Sequence, residues 1–228
     1  MEEIIRNIEK DVNLILKNDK SGHGIEHINR VLNESLFLAN FYDANKDLVS
    51  IIALLHDVDD YKIVGLDKAN SYDNARIIMN KYNLDKEIID FVIEAISKIG
   101  YSKRLGGISP NSIEAMIVSD ADMLDSIGAI GLIRTIEYNV SKDRKIFDKD
   151  IFPNINLTKE EYQAKDNGTV INHFFEKLLK IKEMLILDKS KEIAKERHSF
   201  MVSFLKEFFK ETNNLNWINY LDKFIERE

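Results

Sequence analysis

Apolar residues recur at intervals of three and four positions along almost the whole chain. The first stripe consists of Ile4, Ile5, Ile8, Val12 and Ile15, and this spacing places apolar side chains on one face of an α-helix. Only two prolines and nine glycines occur in 228 residues, and proline is the residue that helix interiors exclude. We therefore expect an all-α protein, folded as a single compact bundle of roughly eight to ten helices.

The same periodicity divides the chain into a series of predicted helices. They span residues 26–42, 48–58, 68–82, 86–99, 127–138, 170–187, 189–209 and 217–225, and a further helix starts near residue 110 and leads to the acidic cluster at 119–122. The helix that begins at Leu48 contains the run IIALL, which is apolar on nearly every side, so we expect it to be buried. Residues 141–167 are charged, contain Pro153 and lack periodicity. We interpret them as a cover or lid within one domain over residues 1–228.

Composition excludes several classes of function. The net charge is −7 at pH 7, which argues against duplex nucleic acid or an anionic membrane as the main partner. Because the chain has no cysteine, disulfides, zinc ribbons, iron–sulfur clusters and thiol nucleophiles are excluded, and any metal must use imidazole, carboxylate or water. The acidic amphipathic amino terminus is unlike a secretory signal, and no apolar stretch reaches eighteen residues. We expect a cytoplasmic protein.

Histidine and aspartate lie at the ends of apolar helices in three places. His56 and Asp57 follow the IIALL run, His27 lies beside an apolar stripe, and Asp122 lies in the cluster SDADMLD. Desolvated polar groups without partners cost several kcal/mol, so partners are expected. A shared metal ion is one interpretation. The alternatives are a capped or salt-bridged pair at His56 and Asp57, a core histidine at His27, and a helix cap at Asp122.

Taken in order, these residues give the pattern H…HD…D, which resembles the HD-domain superfamily of metal-dependent phosphohydrolases. HGIEHINRV is similar to the family's opening helix, LLHDVDDYK to its second element and SDADMLDSIGAIGLIRT to its third. The later stretches HFFEKLLKIK and ERHSFMVSFLKEF resemble one bacterial branch of HD hydrolases. The resemblance therefore covers most of the chain.

The resemblance implies a set of four metal ligands. They are His27, His56, Asp57 and Asp122. His27 corresponds to the family histidine because it precedes the RV dipeptide, which His23 does not. Asp120 and Asp125 remain candidates for a supporting or structural role.

The metal that this set suits is a divalent transition ion. Two imidazoles with two carboxylates favour Mn, Fe, Co, Ni or Zn. No histidine occurs from Val58 to Ala121, and members of the family that hold two metals add histidines there. We therefore expect one ion.

Catalytic residues follow from the resemblance less directly. Asp60 lies three residues after Asp57, where related nucleotide hydrolases carry an acidic residue, commonly glutamate, that acts as general acid or base. If the helix continues for one more turn, Asp60 faces the site and Asp59 points about 100° away. Arg30, Lys62 and Arg134 are candidate phosphate contacts, and His23 is the alternative proton carrier. A solvated carboxylate at Asp60 and ordinary salt bridges at the cations are the structural alternatives.

The resemblance implies hydrolysis of a phosphoester or phosphoanhydride in a small anionic substrate. Our specific prediction is a nucleotide, cleaved in the manner of a nucleoside-triphosphate pyrophosphohydrolase. The alternative is a non-catalytic HD module that senses metal and nucleotide, and a helical interaction protein with structural histidines is a third reading. The aromatic stripe Phe200, Phe204, Phe208 and Phe209 predicts either core or the face of a homodimer.

Overall fold

The computed structural model describes residues 1–17, 24–65, 67–158, 161–162 and 168–226. Their regular structure is helical, and no strand occurs among them, which confirms the all-α prediction. The α-helices are α1 Glu2–Leu16, α2 Ile25–Leu38, α3 Lys46–Leu55, α4 Tyr61–Val64, α5 Asp73–Lys81, α6 Lys86–Ile96, α7 Tyr101–Leu105, α8 Ile113–Asp125, α9 Gly128–Val140, α10 Val170–Glu176, α11 Ile181–Met184, α12 Asp188–Glu211 and α13 Leu215–Ile225.

The chain forms two compact units, Met1–Asp122 and Met123–Glu228. The expectation of a single domain over residues 1–228 stays a prediction. None of the described helices combines the length and the apolar character that a bilayer crossing requires.

Helix α3 is the centre of the first unit. It packs against α1, α2 and α6, and every side chain from Val49 to Leu55 is buried, as the IIALL run predicts. The Asn45 side chain accepts hydrogen bonds from the backbone N–H groups of Asp47 and Leu48, so α3 begins with an N-cap. The cap fixes the start of α3 and the neighbouring helices pack against its sides, so the carboxyl end of α3 has a defined position in the core.

The carboxyl end of α3 differs from the prediction. The helix was expected to run to residue 58, but it ends at Leu55 with His56 as its C-cap. The following residues form turns, in which Val58 N–H donates to the carbonyl of Leu55 at 3.4 Å and Asp60 N–H donates to that of Asp57 at 3.0 Å. The chain therefore leaves the helical path immediately after the His-Asp pair.

Helix α12 is the longest helix of the second unit and packs against α9 and α13. Its buried stripe contains Ala194, His198, Met201, Leu205 and Phe209. The predicted aromatic stripe thus divides, because Phe209 is fully buried and Phe200 is 47% exposed. Homodimer formation stays a prediction.

The described part of the predicted cover segment is bonded to helices of the second unit. The N–H groups of Val170 and Ile171 donate to the carbonyls of Lys145 and Ile146. The indole N–H of Trp217 donates to the carbonyl of Lys149 at 3.2 Å. Residues 159–160 and 163–167 lie outside the described part, and the lid function stays a prediction.

Candidate metal centre

Two helix termini of the first unit bring a pair of histidines together. His27 is the third residue of α2 and is 2% exposed, and His56 caps the end of α3. Their Nε2 atoms lie 3.3 Å apart, and the rings meet edge to face with centroids 5.3 Å apart. His27 and His56, which are 29 positions apart in sequence, therefore direct their Nε2 atoms toward each other.

Two carboxylates face the same place. Asp57 Oδ2 lies 3.2 Å from His27 Nε2 and 3.5 Å from His56 Nε2. Asp122, on α8, has its Oδ1 atom 3.5 Å from His27 Nε2 and 4.0 Å from His56 Nε2. The side chains of Asp57 and Asp122 are 14% and 17% exposed, so the group is open to solvent on its carboxylate side.

A backbone hydrogen bond fixes the chemical form of His56. Its Nδ1 atom lies 2.8 Å from the carbonyl oxygen of Ala53. A carbonyl only accepts, so Nδ1 carries the proton of this bond. In the neutral ring the lone pair then resides on Nε2, the atom that faces His27 and Asp57. A histidine held in this way is oriented as a metal ligand requires.

The donor atoms fit a transition ion. Ligand bonds of about 2.0–2.2 Å to nitrogen and oxygen place neighbouring donors roughly 3.0–3.4 Å apart around one ion. The measured separations to His27 Nε2 are 3.2, 3.3 and 3.5 Å. His27, His56 and Asp57 form a group that can hold a metal ion. Two imidazoles and carboxylates suit a divalent transition ion better than Mg or Ca.

The structure describes two of the four predicted catalytic side chains, those of Arg30 and Asp60. Arg30 follows His27 by one turn of α2, and its Nη1 atom lies 4.0 Å from Glu26 Oε2. Asp60 precedes α4, and its carbonyl accepts from the N–H groups of Ile63 and Val64. His23 and the side chain of Lys62 lie outside the described part of the structure. The catalytic roles of all four residues stay predictions.

The two other aspartates of α8 are buried. Asp120 is 0% and Asp125 is 7% exposed. Asp125 Oδ2 accepts a hydrogen bond from Arg134 Nη1 at 2.5 Å, and the same nitrogen donates to the Asp125 carbonyl. Asp125 is thus paired with Arg134 within the second unit, and the proposed roles of both residues at the site stay predictions.

Sequence reasoning missed the role of Asp59. Its carboxylate is 5% exposed and accepts from the backbone N–H groups of Asn74 at 3.1 Å and Ala75 at 3.0 Å. Burial raises the pKa of Asp59, and the hydrogen bonds from Ala75 and Asn74 oppose that shift. The continuing helix on which Asp60 was expected to face the site and Asp59 to point away does not form, because α3 ends at Leu55. Its partners lie 15 and 16 residues later, so no local sequence signal identifies them.

Known proteins are similar to this chain in sequence and in fold. The HD domain profile matches residues 24–127. The protein YpgQ of Bacillus subtilis is 31% identical over 205 residues, which cover 88% of this chain and 89% of YpgQ.

Three solved structures share the fold over nearly the whole chain. A Lactobacillus plantarum protein has a TM-score of 0.83 at 33% identity, covering 93% of this chain and 98% of its own. An HD-superfamily hydrolase of Bacillus thuringiensis has a TM-score of 0.71 at 31% identity, with the same coverage of 93% and 98%. YpgQ in complex with ADP has a TM-score of 0.69 at 27% identity, covering 91% and 97%.

The sequence similarity to YpgQ, the profile match and the fold agree with the convergence of His27, His56 and Asp57. This chain belongs to the HD-domain superfamily.

Proposed function

We propose that this chain is a metal-dependent phosphohydrolase that cleaves a phosphoester or phosphoanhydride bond of a nucleotide. The observation that supports the proposal most strongly is the approach of the His27 and His56 Nε2 atoms to each other and to one oxygen of each carboxylate, at distances of 3.2–4.0 Å. Acceptor atoms that face one another in a largely buried place need a proton or a cation between them. A divalent metal ion would interact favourably with both imidazoles and both carboxylates at once.

The ligands in the proposal are His27, His56, Asp57 and Asp122. A bound divalent ion would supply Lewis-acid polarisation of a phosphoryl oxygen and lower the pKa of a bound water. The chain supplies the rest. His56 is held in its ligand tautomer by Ala53, and Asp60 is the candidate group for moving the proton of the attacking water. Arg30 and Lys62 are the candidates for neutralising phosphate charge.

The nucleotide part of the proposal is supported by YpgQ, a relative that has been crystallised with ADP. A small anionic substrate of this kind is compatible with a chain of net charge −7, because recognition depends on local cations and not on total charge. Nucleoside-triphosphate pyrophosphohydrolysis is our specific choice. Fold alone does not determine the substrate in a superfamily of this kind. A direct assay of the released products therefore tests this choice.

The test is a product screen with purified protein. The protein is stripped with chelator, reloaded with Mn²⁺ and incubated with nucleoside mono-, di- and triphosphates, and phosphate and pyrophosphate are measured separately. Asp57→Ala is the matched inactive variant. We expect pyrophosphate release that needs added metal and is absent in Asp57→Ala.

The other outcomes separate the alternatives. Nucleotide binding without turnover, measured by calorimetry with metal present, would support the sensor module over the enzyme. Full hydrolysis by the stripped protein in chelator would contradict a metal-dependent mechanism. Equal activity in wild type and Asp57→Ala would do the same.

A further inference from the structure

A buried carboxylate follows the His-Asp pair at an interval of two residues. Asp59 is 5% exposed and lies in the turn after α3, where it accepts the backbone N–H groups of Asn74 and Ala75. These groups belong to the first turn of α5, whose first four N–H groups have no partner within the helix. Asp59 is therefore the N-terminal cap of a helix that begins 14 residues further along the chain.

Helix α5 has no local cap that could take over this function. The residue before it, Tyr72, adopts the left-handed conformation with φ +55° and makes no side-chain capping bond. A non-glycine residue in that region is strained and persists only where its surroundings hold it. The distant carboxylate of Asp59 supplies acceptors that the chain next to α5 does not.

The start of α5 is bonded to the turn after α3 by a further, side-chain hydrogen bond. The Nδ2 group of Asn74 donates to the carbonyl oxygen of Val58 at 3.1 Å. Backbone and side-chain groups of residues 58–59 and 74–75 thus bond reciprocally, and we call these three hydrogen bonds the Asp59 clamp. The clamp joins the two ends of the segment 60–73, which begins three residues after Asp57.

The residue proposed to transfer the proton lies next to the clamp. Asp60 is the first residue of the segment that the clamp closes, and its N–H donates to the carbonyl of Asp57 at 3.0 Å. A reacting group displaced by about 1 Å can lose a hundredfold in rate. We propose that Asp59 is a positioning residue: by capping α5 it holds in place the turn that carries Asp60 from the ligand Asp57 to α4. Since Asp60 acts as acid or base only if the proposed function holds, the positioning role rests on that function.

The first measurement does not depend on activity. In Asp59→Ala we expect the amides of Asn74 and Ala75 to exchange with deuterium at least about tenfold faster than in wild type, because they lose their acceptor. Asp73→Asn is the matched control, since it removes a carboxylate that lies exposed in the first turn of the same helix. It should leave those two amides unchanged. Unchanged exchange in Asp59→Ala would overturn the clamp.

The second measurement separates positioning from general loss of structure. In Asp59→Ala we expect kcat to fall by about 10–100-fold while metal content and KM stay near wild type. Asp59→Asn keeps one acceptor oxygen and should recover part of the loss. If Asp59 acts through Asp60, Asp59→Ala adds almost nothing to the defect of Asp60→Asn. Multiplicative defects in the double variant would overturn the positioning role.

A second variant keeps the test decisive if Asp59→Ala does not fold. Asn74→Ala removes the bond to Val58 and leaves the backbone donors in place, and it should lower kcat in the same direction by a smaller factor. Wild-type protein that hydrolyses no nucleotide contradicts the proposed function, and the exchange result then still decides whether the clamp exists. Active wild type with unaltered kcat in both Asp59→Ala and Asn74→Ala overturns the positioning role alone.

Discussion

The Nε2 atoms of His27 and His56 lie 3.3 Å apart, and both rings are buried. The hydrogen bond from His56 Nδ1 to the Ala53 carbonyl at 2.8 Å makes its Nε2 atom an acceptor in the neutral ring. A second acceptor, Asp57 Oδ2, lies 3.5 Å from it. Acceptors that face one another repel unless a proton or a cation lies between them, and the chemistry of this site follows from which of the two is present.

Loss of His56 or Asp57 should remove the metal. We expect wild type to bind about one divalent transition ion per chain, and His56→Ala and Asp57→Ala each to reduce this stoichiometry sharply, because metal sites with fewer ligands lose most of their affinity. Metal content after desalting, measured by plasma mass spectrometry, is the readout. Far-UV circular dichroism should remain helical, since the unit has its own apolar core.

His173→Ala is the matched control for this experiment. His173 is a half-buried histidine of α10 and is not a proposed ligand, so its removal should leave the stoichiometry unchanged. Retention of wild-type metal by both His56→Ala and Asp57→Ala would exclude the assignment of the ligands.

Asp60→Asn should slow turnover and spare the metal. A positioned acid–base group contributes about 10²–10⁴-fold in rate, and we expect kcat to fall by a factor in that range while metal content stays at the wild-type value. Steady-state kinetics with Mn²⁺ and the best nucleotide of the screen supply the measurement. Full turnover in Asp60→Asn would mean that another group, with His23 the next candidate, carries the proton.

The control for that variant has to be chosen from the structure. Asp59 is unsuitable because it is buried and caps α5. Asp67 is exposed in the same loop, so Asp67→Asn removes an equal charge from that loop without breaking the Asp59 clamp. It should retain kcat within about twofold, as surface substitutions usually do.

The fold class could be predicted from the sequence because helical periodicity is a local property. The IIALL run predicted a buried helix, and α3 is buried from Val49 to Leu55. The end of that helix could not be predicted, since Val58 continues the apolar spacing although the chain turns after His56. The ordered His and Asp motifs predicted that His27, His56, Asp57 and Asp122 lie together. The tautomer of His56 and the cap formed by Asp59 depend on distances in three dimensions, which spacing does not contain.

Neutralising Arg30 should weaken catalysis more than metal binding. Arg30 lies one turn after His27 on α2, and its ion pair with Glu26 at 4.0 Å is of the exposed i,i+4 type, which stabilises a protein little. We expect Arg30→Gln to lower kcat/KM by about tenfold or more through loss of a partner for phosphate charge, with metal content unchanged. Arg76→Gln, which loses a comparable surface pair with Asp90, is the control and should keep its kcat/KM.

A surface network between α1 and α5 predicts a dependence of stability on pH. Lys81 Nζ lies 2.7 Å from Asp11 Oδ2, and the Tyr82 hydroxyl donates to the same oxygen at 2.8 Å. The hydrogen bond from Lys81 lowers the pKa of Asp11 below its ordinary value of 3.8; burial opposes the shift and Tyr82 adds to it. A carboxyl with a depressed folded pKa stabilises the fold above pH 3.8 and loses that contribution as the pH falls through the folded pKa.

The corresponding variant is Asp11→Asn. At pH 7 its Tm should be lower than that of wild type by no more than about 2–4 °C, the size expected for a partly exposed pair in a chain of this length. The difference should shrink as the pH is lowered from 4 toward 2, where wild-type Asp11 becomes protonated. Thermal melts followed by circular dichroism at several pH values measure it. A Tm difference that grows on acidification would contradict the sign of the shift.

The tightest backbone contact at a glycine of the second unit is at Gly131. A Cβ atom built there would lie 2.1 Å from the carbonyl oxygen of Ser126, which belongs to the backbone and cannot rotate away. Alanine is the better helix former by about 1 kcal/mol, yet the overlap forces the turn before α9 to shift. We expect Gly131→Ala to lower the free energy of unfolding by about 1–3 kcal/mol, measured by urea denaturation.

Ile133→Ala is the matched control on the same helix. Ile133 is 58% exposed, so its truncation removes little buried surface and should change the free energy of unfolding by less than about 0.5 kcal/mol. If Gly131→Ala is as stable as Ile133→Ala, the turn at Ser126 accommodates a side chain, and the close approach of α9 to Ser126 is not required for folding. If Gly131→Ala is less stable by the expected amount, the cost of moving the Ser126 carbonyl exceeds the gain in helix propensity. Glycine is then needed at residue 131 for the close approach of α9 to Ser126.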